Sequence, residues 1–425
     1  MVAFVILLCV VIYMVSRLQI HRYEPVGLLI AMWLFLILTT MAFSYYIKLA
    51  FSGIMFILLC LVCCSAGAYM AFYKYNPARM PVRLMVRLGR MKAVLLVLFG
   101  LSLASAVYSF TREGFGLQVL LNFNDMLEMN NDIAMERYYG DQSKSMAEQI
   151  FNALSLPAPM MGGFAYRLMR GAYKKLCILT IFPGIVVALT QAVKMSLITS
   201  VLLWVTGLLV ASFSYRLSMR IRNKTIIISI ISFFFVFVIL LLSMMFRSGQ
   251  FDLSQSGMYL MKFANYFIGS VPCFDLWFAN TNETEMYLGL KTFMGISNFM
   301  GLVERVQGLY SEMLFYGQNG FDGGMSNVYS AFRVLTEDFG FVLTFPIMSV
   351  FGFFTYVIWK NVKVNKHIMV NQTLLVGIYA YVFWSFVTSF YVYTSYILLI
   401  ILVYFILCFT QKVEYARCEL SSDLK

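Results

Sequence analysis

The chain has little charge for its length. Only 12% of its 425 residues are Asp, Glu, Lys or Arg, whereas 61% are hydrophobic, and the mean hydropathy is +0.79. A soluble domain of this length could not bury that much apolar surface. Repeated apolar runs of about 20 residues instead predict helices that cross a membrane, since a helix rises about 1.5 Å per residue.

Histidine and outer cysteine are also scarce. Both histidines, His21 and His367, lie beside basic connections, and Cys273 is the only cysteine in a predicted outer loop, so no outer disulfide can form. Three cysteines within 60–64 have a metal-like spacing, but in an apolar run cysteine behaves as a small hydrophobic residue. With no outer D-x-D or H-E-x-x-H motif either, we expect neither a metal nor another cofactor.

The apolar segments predict one all-α, polytopic membrane domain over residues 1–425, with about eleven transmembrane helices. The first segment, MVAFVILLCVVIYMV, lacks a basic n-region and a small-residue cleavage site. We therefore expect a retained helix rather than a signal peptide. The predicted helices are approximately 2–15, 26–46, 51–73, 93–110, 147–166, 176–192, 195–213, 225–245, 341–359, 371–389 and 394–411.

Basic residues are concentrated in alternate connections. Six of these segments, including the tail, hold 22 of the 32 Lys and Arg but only four acids, whereas the opposite side holds 10 bases and 16 acids. The positive-inside rule therefore predicts that the N-terminus lies outside and the C-terminus in the cytoplasm. The net charge of +12 divides into +18 inside and −6 outside. Anionic membrane lipid is the expected partner of the basic side, and no nucleic acid is needed to explain it.

Two predicted outer loops, 111–146 and 246–340, are too long to be simple turns. The second lies between predicted helices 8 and 9. Both contain amphipathic stretches such as EMYLGLKTFMGISNFMGLVERVQGLY (285–310), and helices of this kind lie on a membrane or pack as a lid. Long loops on a helical scaffold often carry the function, so we expect the site there.

Charged residues stand at the lip of the ninth predicted helix, in SNVYSAFRVLTEDFGFVLTF. Charge at that depth is costly unless it is solvated, paired or used. Four-residue spacing places Tyr329, Arg333 and Glu337 on one helix face. An Arg333–Glu337 pair could be purely structural, with Asp338 favoured by the helix dipole. The alternative is that these residues form one wall of a functional site.

Four outer cations could converge at the ends of the helices. Arg112 follows the fourth predicted helix, Lys194 occupies the turn between the sixth and seventh, and Arg247 ends the eighth. Snorkelling explains each of these three residues taken alone. Together with Arg333 they would form a ring suited to an anion at headgroup depth. A lipid diphosphate is the natural candidate, because guanidinium binds phosphate oxygens through paired, charge-assisted hydrogen bonds.

Three segments resemble the Wzy-type oligosaccharide repeat-unit polymerases of bacterial O-antigen and capsule assembly. They are FRSGQ (246–250), YFIGSVPCFD (266–275) and SNVYSAFRVLTEDFG (326–340). The similar features are an arginine that closes a helix, a Tyr…Gly…Pro…Asp stretch in the large loop, and Asn-x-Tyr…Asp-Phe-Gly before the next helix. The resemblance implies a GT-C-like, metal-independent, inverting glycosyltransferase of the bacterial inner membrane.

The resemblance also implies the substrates. Undecaprenyl-diphosphate-linked oligosaccharides would bind at the periplasmic face, and the growing glycan would move to a new lipid-linked repeat unit. Arg247, Arg333, Lys194 and Arg112 would hold the diphosphate as negative charge develops on it. A chain-length regulator is a candidate partner.

The acceptor hydroxyl needs a general base, and three acids are candidates: Asp338, Glu337 and Asp275. A purely structural role for Asp338, at the helix start, stays open. Four residues are expected to contact the glycan: Tyr266, Asn327, Tyr329 and Arg305.

Two other classes remain as alternatives. An O-antigen ligase, or another polyprenyl-diphosphate-dependent glycosyltransferase, would use a similar donor. Such ligases typically have a histidine in the large periplasmic loop, and this chain has none outside, which favours the polymerase. A lipid-linked oligosaccharide flippase would more often show charges at mid-membrane and two matching halves, whereas these loops are asymmetric.

The charge asymmetry makes a testable prediction of topology. A reporter fused after residue 280 should be active only if it is an enzyme that works in the periplasm. The matched fusion after residue 366, in a basic connection, should be active only as a cytoplasmic enzyme. Cytoplasmic activity after residue 280 would invert the predicted orientation.

Overall fold

Helices make up most of the chain. The structure, a computed structural model, describes residues 5–7, 9–10, 13, 24–78, 80, 82–112, 122–139, 146–191, 193–217, 223–247, 256–281, 285–303, 310, 312–321 and 323–415. The first predicted helix lies largely outside these residues.

Sixteen helices are labelled here in chain order within the described part of the chain. They are α1 Pro25–Ala42, α2 Ser52–Lys74, α3 Leu88–Arg112, α4 Phe123–Tyr139, α5 Met146–Ser155, α6 Pro157–Tyr166, α7 Ala172–Leu179, α8 Phe182–Thr190, α9 Lys194–Ser214, α10 Asn223–Arg247, α11 Ser256–Ile268, α12 Ser270–Asn280, α13 Met294–Phe299, α14 Ser330–Val364, α15 Ile368–Trp384 and α16 Thr394–Thr410. The strands are β1 Val82–Val86, β2 Leu314–Phe315, β3 Met325–Ser326 and β4 Gln411–Tyr415.

Six helical stretches in the described residues are long and apolar enough to cross a membrane. They are α1, α2, most of α3, α7 with α8, α9 and α14. Shorter apolar helices add Phe234–Phe246, α15 and α16. This is the architecture of a multi-pass membrane protein. The count of eleven spans and the GT-C-like arrangement stay predictions.

Proline explains why two predicted spans are divided. The predicted helix 147–166 is interrupted at Leu156, and Pro157 begins α6; similarly, Pro183 lies in the first turn of α8. Proline suits the first turn of a helix, where an N–H group would have no helical partner. Farther along a helix it removes a hydrogen bond and clashes with the preceding turn, so the preceding helix ends before it. The predicted span 341–359 is instead longer than expected, because α14 begins at Ser330.

Helix α2 packs closely along α14, and two glycines permit it. A Cβ at Gly67 would lie 1.8 Å from the carbonyl oxygen of Ser349, and one at Gly352 would lie 1.9 Å from the carbonyl oxygen of Cys64. Any side chain there would force the two backbones apart. Small residues at helix crossings are common in membranes, where close van der Waals packing stabilises association.

Four of the six basic connections meet at one end of the bundle within the described residues. Strand β1 pairs antiparallel with β4, from Val82 opposite Tyr415 to Val86 opposite Gln411. Arg216 Nη2 donates to the Lys363 carbonyl at 2.8 Å. These contacts bring together segments that the charge pattern assigns to the cytoplasmic side.

Connections that the charge pattern assigns to the outer side also meet one another. Ile47 forms a β-bridge with Gly317, next to the two-stranded pair of β2 and β3. Ser389 Oγ donates to the Thr292 carbonyl at 2.9 Å. The contacts therefore group the connections as the charges do, and which group faces the periplasm remains a prediction.

The close crossing of α2 and α14 predicts that Gly67→Ala and Gly352→Ala each lower the melting temperature of the purified protein in detergent. A methyl group at either position would separate the two helices, at a cost of about 1–3 kcal/mol. Gly100→Ala on α3 is the matched control. Among the described residues nothing lies within 4 Å of a Cβ there, so the melting temperature should hold or rise. Equal melting temperatures for all three variants would contradict the close crossing.

Candidate functional site

Three of the predicted site residues, Arg333, Glu337 and Asp338, lie on the first turns of α14, ahead of a kink. Gly340 has φ 68° and ψ 178°, which are not helical values, so residues 330–339 form a short helix of their own. Glycine adopts positive φ at little cost because it has no Cβ. The kink separates the charged start of α14 from its apolar remainder.

A segment of the large loop, residues 285–293, crosses over this kink. The amide of Tyr287 donates to the Glu337 carbonyl at 3.2 Å, and the amide of Leu288 donates to the Asp338 carbonyl at 2.9 Å. A kink frees carbonyls that a continuous helix would have paired, and buried carbonyls need partners. The 285–293 segment supplies them.

The side chain of Asp338 also binds the 285–293 segment. It is fully buried, and its two oxygens accept hydrogen bonds from the amides of Lys291, at 3.0 Å, and Thr292, at 2.6 Å. Backbone amides are fixed donors that stabilise the anionic carboxylate. These contacts make Asp338 an anchor for the loop, and the role of general base that the sequence suggested for it stays a prediction.

Asp275 is a second buried anchor. Its carboxylate accepts hydrogen bonds from the amides of Ala50, Phe51, Gly53 and Ile54, at 2.6, 2.8, 2.8 and 3.2 Å. These amides lie at the start of α2, where a helix has N–H groups without helical partners and a positive dipole end. Asp275, listed among the candidate bases by sequence, therefore caps α2.

Glu337 differs from these two acids because side chains hold its carboxylate. Oε1 accepts from Arg333 Nε at 2.9 Å, and Oε2 accepts from Lys291 Nζ at 2.8 Å and from the Tyr310 hydroxyl at 2.9 Å. Burial is the main cause that raises the pKa of Tyr310, and the negative charge of Glu337 raises it further. This hydroxyl therefore stays protonated and donates its hydrogen bond. The predicted four-residue pairing of Arg333 with Glu337 is present.

Three aromatic rings enclose the guanidinium of Arg333. Its central carbon lies 3.7 Å from the ring centre of Tyr310, 4.1 Å from that of Tyr329 and 4.8 Å from that of Trp277. Rings at these distances stabilise a cation, and more strongly where water is excluded. The side chain is only 10% exposed. The cage therefore holds the charge of Arg333 in one place.

One nitrogen of this guanidinium has no hydrogen-bond partner in the described part of the chain. Nε is bound to Glu337, and Nη2 lies 3.9 Å from a carboxylate oxygen of the exposed Glu312. Nη1 is buried and has no hydrogen-bond partner among the described residues. An unsatisfied buried donor costs about 1–3 kcal/mol, so an acceptor oxygen that reached Nη1 would be favoured.

Two predicted glycan residues hold the loop against the start of α14. The Tyr329 hydroxyl donates to the Glu312 carbonyl at 2.8 Å, and Asn327 Nδ2 donates to the Tyr310 carbonyl at 3.2 Å. Tyr329 is fully buried, whereas Asn327 is exposed. Of the two, Asn327 is the better placed to meet a ligand.

The other predicted site residues are only partly described. Lys194 Nζ lies 4.6 Å from the ring centre of Tyr266, so the structure brings these two together at the start of α9. Arg112 and Arg247 end α3 and α10, and their side chains lie outside the described residues, as does all of Arg305. The ring of four cations therefore stays a prediction.

Sequence analysis missed Lys291, Tyr310 and Trp277 as members of this site. Lys291 is a lone lysine in an apolar stretch, and the two aromatic residues lie in the same large loop. No spacing connects them with Arg333, because a long loop sets no period. The unusual charge of Lys291 within its stretch was the only signal.

No protein-family model, curated protein or solved structure matches this chain. Function is therefore argued from the site itself. Within the described ranges, no group of three or more His, Cys, Asp and Glu residues could hold a metal ion. What the site offers is a caged cation, a second cation at Lys291 and a carboxylate between them, which together suit an anionic ligand.

The anchoring role of Asp338 predicts that Asp338→Asn speeds hydrogen exchange in the peptide that contains residues 291 and 292. A carboxamide has one acceptor oxygen, and its NH2 group would face an amide donor. The loss of one charge-assisted hydrogen bond should raise the exchange rate by about tenfold or more. Glu337→Gln, one residue away and equally conservative, should leave exchange slow, and equal rates in the two variants would contradict the assignment.

Proposed function

We propose that this protein polymerises undecaprenyl-diphosphate-linked oligosaccharide repeat units into O-antigen or capsular polysaccharide at the periplasmic face of a bacterial inner membrane. The observation that carries the proposal is the buried Nη1 of Arg333, at the N-terminal end of α14, which has no hydrogen-bond partner in the described part of the chain. The resemblance of three segments to Wzy-type polymerases supports it.

The first requirement is a binding site for a lipid diphosphate. The rings around Arg333 exclude water, and an ionic hydrogen bond is stronger where the local dielectric constant is low. A phosphate oxygen could reach Nη1 without displacing any described protein partner of that atom. Lys291, whose side chain is 22% exposed, would supply a second positive charge to the same group.

The second requirement is a base for the acceptor hydroxyl. Asp275 and Asp338 accept hydrogen bonds from backbone amides, and the fold keeps these donors in place. Glu337 is bound by Arg333 and Lys291, the two cations that a diphosphate would attract. A bound diphosphate would weaken their hold on Glu337, and a carboxylate with fewer donors is a better proton acceptor.

These two parts combine into one transfer step. The acceptor hydroxyl oxygen attacks the anomeric carbon of the growing glycan, and the bond from that carbon to the diphosphate oxygen breaks. The bonding electrons leave with the diphosphate, whose charge Arg333 and Lys291 stabilise. The hydroxyl proton passes to Glu337. Attack from the side opposite to the diphosphate inverts the anomeric centre.

The proposal predicts short glycans in site variants. In a strain that lacks the protein, complementation with Arg333→Ala should lower polymerisation by about 10²-fold, because a charge-assisted contact to the departing diphosphate is lost. Arg333→Lys should rescue only part, since the planar fork is missing. Glu337→Gln should also stop polymerisation, because the base is lost. The readout is glycan length on lipopolysaccharide or capsule gels at matched protein levels.

Lys48→Ala is the matched control, because Lys48 is an exposed cation of a predicted outer connection and should leave chain length normal. A strain without the protein should carry single repeat units on its lipid A core. A complete absence of glycan there would favour the ligase or the flippase. Normal chain lengths in both Arg333→Ala and Glu337→Gln would overturn the site.

A further inference from the structure

The stretch that contains α13 exposes an unusual amount of apolar surface. Phe299 is 84% exposed, Leu288 74% and Met300 65%. Lys291 is the only charged residue in 286–302, and its amine points to Glu337. An apolar, uncharged patch of this kind is unfavourable in water and marks a surface that meets another apolar phase.

The patch is continuous with the exposed apolar side of α14. Met286 lies against the kink, since a Cβ at Gly340 would come within 2.9 Å of its Cε atom. Directly after the kink, α14 exposes Val342, which is 76% accessible, and Leu343. Farther along the same helix Phe354 is exposed as well. The apolar surface of the loop and that of the helix therefore adjoin.

The patch also rests on the outer end of α16. Thr394 Oγ1 donates to the Gly295 carbonyl at 3.0 Å, and a Cβ at Gly295 would lie 2.7 Å from the Thr394 nitrogen. From this first turn, α16 continues with exposed Ile401 and Phe405. The 286–302 stretch thus bridges the kink of α14 and the first turn of α16, and each of these helices presents apolar side chains outward.

We propose that residues 286–302 are seated in the hydrocarbon of the outer leaflet, as a shoulder between α14 and α16. The occupant of this surface is the acyl-chain region of the bilayer. Continuity with the two lipid-facing helices carries the inference, together with the absence of any outward-pointing charge in the stretch. Of the two roles that sequence alone allowed for this stretch, membrane contact or a lid, the structure supports membrane contact.

This seat gives the substrate a route, a step that rests on the proposed function. Lys291 belongs both to the shoulder and to the site, and Asp338 fastens the shoulder to α14 next to Arg333. A prenyl tail could therefore stay in the leaflet beside 286–302 while its diphosphate reached Arg333. The lipid-linked donor would not have to leave the membrane.

Phe299→Trp in the full-length protein, reconstituted in phosphatidylcholine vesicles without substrate, tests the seat. Four of the five native tryptophans, Trp33, Trp277, Trp359 and Trp384, are at most 9% exposed, so lipid quenchers reach them poorly. The fluorescence that Phe299→Trp adds should be lost in vesicles whose acyl chains are brominated near the glycerol backbone. Iodide in the buffer should leave it unchanged.

Glu285→Trp is the aqueous control, because Glu285 is an exposed, charged residue directly before the stretch, and iodide should quench the added fluorescence. Quenching of Phe299→Trp by iodide but not by bromolipid would place the patch in water and overturn the proposal. Quenching by neither would mean that protein covers the patch, which overturns it as well.

The same position separates this inference from the proposed function. If bromolipid quenches Phe299→Trp and yet Phe299→Asp gives normal glycan length at normal protein level, the membrane seat stands and its role for the prenyl tail is overturned. Shortened glycans in Phe299→Asp, with unchanged melting temperature, support the route.

Discussion

Two hydrogen bonds, from the amides of Lys291 and Thr292 to the buried carboxylate of Asp338, hold the large loop onto the N-terminal end of α14. Their effect reaches well beyond the three residues. They set Lys291 within reach of Glu337, they place the 285–293 segment over the kink at Gly340, and they lay the apolar stretch that follows between α14 and α16. A carboxylate in so apolar a position would be very costly without such partners.

The three acids of the site illustrate how donor type separates structure from chemistry. Backbone amides hold Asp275 and Asp338, and an amide cannot turn away without unfolding its segment. Glu337 is held by long side chains, each of which can rotate toward another anion. The same carboxyl group is therefore part of the scaffold in two places and an exchangeable partner in the third.

Features that depend on neighbouring residues were easier to predict from the sequence than contacts between distant segments. Apolar runs located the membrane helices because a span is set by length and composition, and prolines explain where two of them are divided. The Arg333–Glu337 pair followed from helical spacing. The Lys291 contact did not, since an encounter across more than 40 residues depends on the fold. The sequence also does not show whether backbone amides or side chains will surround an acidic residue, so the amide contacts of Asp275 could not be predicted.

The pairing of β1 with β4 has a consequence for biosynthesis. The partner of Val82 lies more than 300 residues later in the chain. Because a ribosome adds about 5–20 residues per second, β1 is synthesised roughly 15–70 s before β4, the strand with which it pairs. Throughout that delay an unpaired strand edge is open to other nascent chains. Arg83, the exposed second residue of β1, carries a charge of the kind that discourages such pairing. Pairing of β1 with β4 is thus a late event, and it requires the synthesis and insertion of α16, which directly precedes β4.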